Sequence, residues 1–384
     1  MYAMNWNNLG AALAPFSPQA LKDMDRRRQA KGALLERAGY GPQRTPSHVL
    51  HAQPGLNLLS YAGERSDGPP VLLVPAPIKR SYIWDMAPEI SVVRRWLERG
   101  YRVYLAEWVP TPEGDSEVGL ADYGERLLAV CHDKIAEDSG HDRMIVAGHS
   151  LGGILAAIYS AAHPERVAAT ILLEAPLRFA HAHCCFTPLV KATPDARAIA
   201  NAFRHVPGVF LNMMSAMAEP QAFQWERIID RNLSLLDPQA MTTHMRVERW
   251  THDEFALPGK LFTEIVEALY RRDDFMQGRL AIGERTLGPQ DLRAPLMSVV
   301  DFRSKVIPPQ SVLPFHEATA SERKQVLSYG GDIGVNLQHV GVLVGRSAHA
   351  TLWPQIFAWL GAPAATPLLT APAAAATAAP AAAQ

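Results

Sequence analysis

The sequence predicts an α/β protein, with a mostly parallel central sheet, helices on both faces and an inserted, mainly helical cap. Three observations predict it. Short apolar runs alternate with helix-length segments from residue 48 to residue 173. The alternation stops at Pro176 and gives way to a long helical pattern. It resumes at residues 295–300. Strands that alternate with helices are joined by crossovers, which leave a parallel sheet between two helical layers.

The elements follow in order. Residues 1–44 read as a helical lead-in, because 20–37 are rich in charged and helix-forming side chains. Residues 48–51 and 56–61 predict an opening antiparallel pair turned at Pro54-Gly55. A buried strand at 71–74 precedes a helix at 92–99, a strand at 102–108 and a helix at 120–138. A strand at 144–147, a helix at 151–163 and a strand at 168–173 complete the first half. Residues 177–290 are the cap, and aromatics such as Phe203, Trp225 and Tyr270 are read as its packing. A strand at 325–329 and a helix at 349–360 close the chain, so the core comprises 45–176 and 291–361. Residues 362–384 are nearly all Ala, Pro and Thr without a charged side chain, which predicts a disordered tail.

Composition removes several function classes. Lys and Arg number 37 against 38 Asp and Glu, so no basic field is available for a nucleic-acid backbone. The cysteines are Cys131, Cys184 and Cys185. Adjacent cysteines pair poorly, no C-x-x-C spacing occurs, and this usage fits a reducing compartment. Cys184 and Cys185 open the cap and read as buried structural residues rather than reactive thiols. The first residues lack the basic stretch and apolar run of a secretory signal, and no apolar run is long enough for a transmembrane segment. A cytoplasmic protein is expected. No metal cluster or nucleotide loop stands out, so no cofactor and no metal are expected.

Gly148-His149-Ser150-Leu151-Gly152 matches G-x-S-x-G. Chance supplies about 0.1 such matches in a chain of this length, given ordinary Gly and Ser usage. The context sharpens the match, because the motif follows the strand MIVA and opens the helix LGGILAAIYSAAH. This is the nucleophile elbow of the α/β-hydrolase fold, where flanking glycines relieve a strained strand-to-helix turn. Ser150 is the candidate nucleophile. The helix N-terminus offers the Leu151 amide to a developing oxyanion. A second amide is expected after the strand VLLV, at Pro75-Ala76-Pro77-Ile78. Proline carries no N–H, so Ile78 is the expected donor.

The base in this fold lies on a late loop. His339, in GVNLQHVGVLVG, occupies that place, whereas His349 falls at the start of the closing helix. The acid has three candidates. Glu174 ends the strand before the cap, Asp301 ends the strand PLMSVV, and Asp332 lies in the last loop. Glu174 is preferred, then Asp301, then Asp332. A carboxylate ending a buried strand is costly unless paired, and His339 would supply the partner. The separation of Glu174 from Ser150 resembles that in haloalkane dehalogenases.

Several longer blocks carry a more specific likeness. VLLVPAPIKRSYIWDM, PEISVVRRWLERGYRVYLAEW, WTHDEFALPGKLFTEIVEALYRRDDFMQGRLAIG and QHVGVLVG occur in this order. In them the chain resembles poly(3-hydroxyalkanoate) synthases, especially the short ones that work with a partner subunit. The likeness runs from about residue 45 to residue 360. The resemblance implies cysteine where this chain has Ser150, aspartate where it has Ser304, and histidine at His339. A thiolate exchanges readily with acyl-CoA thioesters, whereas a serine ester is less activated toward another hydroxyl, so the exchange tilts the chemistry toward water. Some intracellular depolymerases of medium-chain polyhydroxyalkanoates likewise carry a serine elbow.

The reading that follows is a serine acyl hydrolase acting on hydroxyalkanoate esters or thioesters, including acyl-CoA. One alternative is a synthase-type acyltransferase using hydroxyacyl-CoA. The other is an inactive synthase-like subunit that binds a partner or a granule surface. Association with polyester granules and a homo-oligomer are both compatible with the chain.

Overall fold

A computed structural model describes residues 17–61, 67–110, 116–179, 185–193 and 195–361. The expected tail, Cys184 and the start of the lead-in lie outside the described residues.

Eight strands form the central sheet. They are β1 (Ser47–Gln53), β2 (Leu56–Tyr61), β3 (Pro70–Val74), β4 (Arg102–Trp108), β5 (Met144–His149), β6 (Val167–Leu173), β7 (Leu296–Val300) and β8 (Lys324–Ser328). Their order across the sheet is β1-β2-β4-β3-β5-β6-β7-β8. The pairs β1–β2 and β2–β4 are antiparallel. All remaining pairs are parallel. The α/β-hydrolase fold expected from the sequence is the fold observed.

Side chains alternate between faces with the period of two that a pleated strand imposes. Leu72, Val74, Tyr104 and Val146 join one buried cluster, with Ile154, Leu155 and Ile158. Val71, Leu73, Val103, Leu105, Ile145 and Ala147 face the other, where Trp96, Trp353 and Phe357 pack. Burial on both faces explains why these strands read as continuous apolar runs.

The helices that position the site are α1 (Pro18–Leu35), α2 (Val92–Glu98), α3 (Leu127–Ser139), α4 (Leu151–Ala162), α5 (Gly208–Ala218), α6 (Glu226–Ser234), α7 (Pro238–Thr251) and α8 (Trp353–Leu360). Helix α4 follows β5 directly and is buried from Gly152 to Ala162. That burial accounts for its nearly uninterrupted apolar sequence. The segment between β6 and β7 holds α5, α6, α7 and several shorter helices. Helix α1 docks on that segment, with Arg28 bonded to Glu254 at 2.6 Å and Lys31 to Glu248 at 3.1 Å.

The stretch read as helical also contains extended backbone. Leu280–Ile282 and Arg285–Leu287 form a hairpin, and His205–Val206 pairs with Leu257–Pro258. Strands of two or three residues are too short to show a period. Gly283, at φ 59°, supplies the left-handed residue between the hairpin strands. Among the described residues no helix is long and apolar enough to cross a membrane.

Candidate active site

Ser150 stands between β5 and α4 at φ 56° and ψ −127°, a region that costs an ordinary side chain energy. The turn is held on both sides. The Ser150 N–H donates to the Leu173 carbonyl at 3.0 Å, and the Ser150 carbonyl accepts from Gly153 N–H at 2.9 Å. The flanking glycines are steric requirements. A Cβ on Gly148 would collide with the Gly152 backbone, and one on Gly152 with the Val74 carbonyl and Pro75. The second collision shows how closely the end of β3 approaches the first turn of α4. The Trp108 indole N–H fixes that end by donating to the Pro75 carbonyl at 2.7 Å.

Glu174 is the residue after β6, at φ 44°, and its side chain is 1% exposed. Its N–H donates to the Val299 carbonyl of β7 at 2.9 Å, which fixes its height above the sheet. Its Oε2 lies 2.8 Å from Nδ1 of His339. A carboxylate at that distance selects the imidazole tautomer with the proton on Nδ1, leaving Nε2 as the proton acceptor. Burial, reinforced by the neighbouring charge of Asp301, pushes the Glu174 carboxyl well above its ordinary range. Burial pulls His339 down to about 4, so the resting imidazole is neutral.

The other acid candidates are engaged elsewhere. Asp301 Oδ1 accepts from Arg303 N–H at 2.9 Å and so closes its own turn. Asp332 accepts from Ser347 N–H at 2.9 Å and from the Tyr329 hydroxyl at 3.0 Å, anchoring the start of the closing helical segment. Ser304 Oγ accepts from Ile307 N–H at 3.0 Å. His349 Nε2 lies 2.8 Å from the Leu343 carbonyl. Cys185 is buried, its Sγ 3.8 Å from the Val306 carbonyl.

Sequence reading missed His149, the variable position of the elbow. Its ring lies against that of His339, with centroids 4.6 Å apart and planes at 33°. Its Nε2–H donates to the His339 carbonyl at 2.8 Å. Burial and the neighbouring imidazole hold it neutral, well below the usual histidine range. The signal was a second ionisable side chain inside the motif, but only the fold shows that it faces His339.

Ser150, His149, His339, Leu151 and Ile78 all line one cavity of about 290 Å³. Its walls are mainly apolar, with Trp84 and Ile154 from the core and Phe210, Leu211 and Phe262 from the helical segment. A charged corner is contributed by Lys79, Arg227 and Glu254. Lys79 Nζ donates to Glu254 at 3.0 Å and to the Thr251 carbonyl at 2.8 Å, and burial brings it down to about 8. A second, more polar cleft of about 680 Å³ also reaches His339, past Asp301, Arg303 and Gln338. The imidazole therefore borders an apolar chamber on one side and a polar cleft on the other.

A family model described as the alpha/beta hydrolase fold matches residues 69–229. The chain is 28% identical over 352 residues to the poly(3-hydroxyalkanoate) polymerase subunit PhaC of Haloferax mediterranei, covering 89% of this chain and 69% of that protein. It is 24% identical over 322 residues to the PhaC subunit of Allochromatium vinosum, covering 82% of this chain and 88% of that one. Among solved structures, the monoacylglycerol lipase of Paleococcus ferrophilus superposes with a TM-score of 0.51 at 16% identity, over 79% of this chain and 98% of the lipase. That last likeness is one of fold. The chain therefore has the α/β-hydrolase fold and is homologous, over most of its length, to the PhaC subunits of poly(3-hydroxyalkanoate) polymerases.

Proposed function

We propose that the protein is a serine-dependent acyl hydrolase that acts on hydroxyalkanoate esters or thioesters through an acyl-enzyme. The observation that carries the reading is the Glu174–His339 hydrogen bond, beside an elbow whose serine opens into the same cavity as the imidazole.

Ser150 Oγ attacks the acyl carbonyl carbon while its proton passes to Nε2 of His339. The negative charge that develops on the carbonyl oxygen is met by the backbone N–H groups of Leu151 and Ile78. The tetrahedral adduct collapses, the C–O or C–S bond breaks, and the departing alcohol or thiol takes the proton from His339. Water then attacks the Ser150 ester and gives a proton to His339, and the adduct collapses to release the acid as His339 returns that proton to Ser150 Oγ. Glu174 holds the ring in position and balances the imidazolium at each transfer. The apolar walls receive the acyl chain.

Homology to polymerase subunits favours a second reading, in which an acceptor hydroxyl replaces water and the product is a longer ester. The oxygen ester on Ser150 is less activated than a thioester, which supports water as acceptor. The inactive-subunit reading is disfavoured by the strained serine and the paired histidine, for which an inert protein has no use.

Two measurements test the proposal. A fluorophosphonate probe should label the wild type and leave Ser150→Ala unlabelled. Incubation with 3-hydroxybutyryl-CoA or a short oligoester should then release free hydroxy acid. An unlabelled, folded wild type overturns the serine mechanism, and polymer as the product replaces hydrolysis with acyl transfer.

A further inference from the structure

The segment that carries His339 is fastened to the helical segment across the cavity. Residues 330–339 connect β8 to the base, and four polar side chains of α6 and α7, Arg227, Asp230, His244 and Glu248, bond to that loop. Asp230 of α6 is buried, and its carboxylate collects three donors. Oδ1 accepts from Gly334 N–H at 2.8 Å. Oδ2 accepts from Asn336 N–H at 2.8 Å and from Nδ1–H of His244 at 2.7 Å.

Asn336 completes the network from the loop side. It sits at φ 62°, a left-handed conformation, with its side chain buried among α6 and α7. Its Oδ1 accepts from Nε–H of Arg227 at 2.8 Å. Its Nδ2 donates to Glu248 at 3.0 Å and faces Nε2 of His244 at 3.2 Å. These partners fit a neutral His244 that donates from Nδ1 to Asp230 and accepts at Nε2 from Asn336. Arg227 also pairs with Glu248, which closes the circuit. A Cβ on Gly334 would strike the backbone of Ala240, so the loop lies directly on the first turn of α7.

The buried face of helix α6 belongs to this network. Its buried residues are Asp230 and Ser234, while Ile228, Ile229 and Leu233 face outward. An ordinary surface helix buries its apolar stripe and exposes its polar one. Here the inward face is polar, so the contact is directional and specifies loop geometry rather than bulk packing.

We propose that Asp230 and Asn336 are positioning residues through which α6 and α7 hold His339 against Glu174 and in the cavity that Ser150 lines. The inference rests on the serine mechanism above and adds a dependence of that mechanism on the helical segment. Displacement of α6 would release Gly334 and Asn336, and with them the imidazole three residues further on. Neither residue touches the reacting atoms.

The experiment uses the full chain with Asp230→Asn and Asn336→Gly, turnover of a short-chain p-nitrophenyl ester, and phosphonylation of Ser150. Glycine at 336 keeps the left-handed backbone accessible while removing the side chain and its hydrogen bonds. Loss of positioning should lower kcat about 10- to 100-fold while KM changes little, because misplacement by about 1 Å is enough for that loss. The low-field proton resonance of His339 Nδ1–H should broaden in both variants. Asp230→Glu, which keeps the carboxylate, should recover part of the rate. If Asp230→Asn does not fold, Asn336→Gly carries the test alone. Folded variants with wild-type kcat and an unchanged resonance overturn the proposal, even when their melting temperature falls. A wild type that phosphonylates at Ser150 while the variants do so equally fast refutes the positioning role and leaves the serine mechanism standing. Absence of Ser150 labelling in the wild type removes both.

Discussion

Glu174 and His339 meet at 2.8 Å although 165 residues of chain separate them. The carboxylate comes from the strand before the helical segment and the imidazole from the loop after the last strand. Their contact is thus the point where the two halves of the core agree on one geometry.

Glu174→Gln should lower turnover about 10²- to 10⁴-fold, because an amide at that place favours the wrong imidazole tautomer. Asp301→Asn should cost less than about tenfold, since Asp301 bonds to its own turn. Steady-state kinetics on one ester substrate compare the two. A larger loss at Asp301 would move the acid to the end of β7.

Ser150→Ala should abolish phosphonylation and lower ester turnover by at least about 10³-fold, with the melting temperature close to wild type. Intact-mass measurement after probe treatment reads the first outcome directly. A variant that still gains the probe mass would place the reactive group elsewhere.

The acid limb of the kcat/KM profile should follow His339. In the proposed mechanism only the neutral imidazole accepts the Ser150 proton, and burial pulls this group down to about 4. Activity should therefore hold well below the usual histidine range and fall as pH drops toward that value. A limb near 6.5 would show that Glu174 restores the ordinary basicity of the ring.

Stability should also decline on acidification. His149, His339 and His349 are all held neutral by burial, below their unfolded value of 6.5. The unfolded chain binds these protons first, so the stability they contribute is present above pH 6.5 and lost as pH falls through their folded values. His252 and His316 are shifted downward by burial as well, whereas Glu174 and Asp25, shifted upward, act with the opposite sign, so five histidines stand against two carboxyls. Urea midpoints between pH 7 and pH 4 test the sum, and a rising midpoint would contradict it.

Gly152→Ala should destabilise the fold by about 1–3 kcal/mol, the usual cost of overpacking. The added methyl group collides with the Val74 carbonyl and forces the end of β3 away from α4. Thermal unfolding reports the loss, and phosphonylation should slow as the Ile78 amide moves.

The sheet was legible because its strands are buried on both faces and bounded by turns, as Leu72–Leu73 and Val146–Ala147 illustrate. The elbow was legible because backbone strain at Ser150 demands glycine on both sides. What stayed hidden depends on partners distant in sequence. Nothing near His149 announces that it faces His339, and nothing near Asp230 announces that it collects the amides of Gly334 and Asn336. The 280–287 hairpin escaped because three residues hold no period.

Ser150 and Glu174 follow neighbouring strands, β5 and β6, only 24 residues apart in the chain. Both are in place before the chain enters the long excursion between β6 and β7. That excursion can be lengthened, trimmed or exchanged for another without altering the spacing of serine and carboxylate. Only the imidazole, arriving last, is exposed to the change. A lineage with this arrangement can remodel the apolar cavity beside Ser150 as a module, and the whole adjustment then falls on one loop.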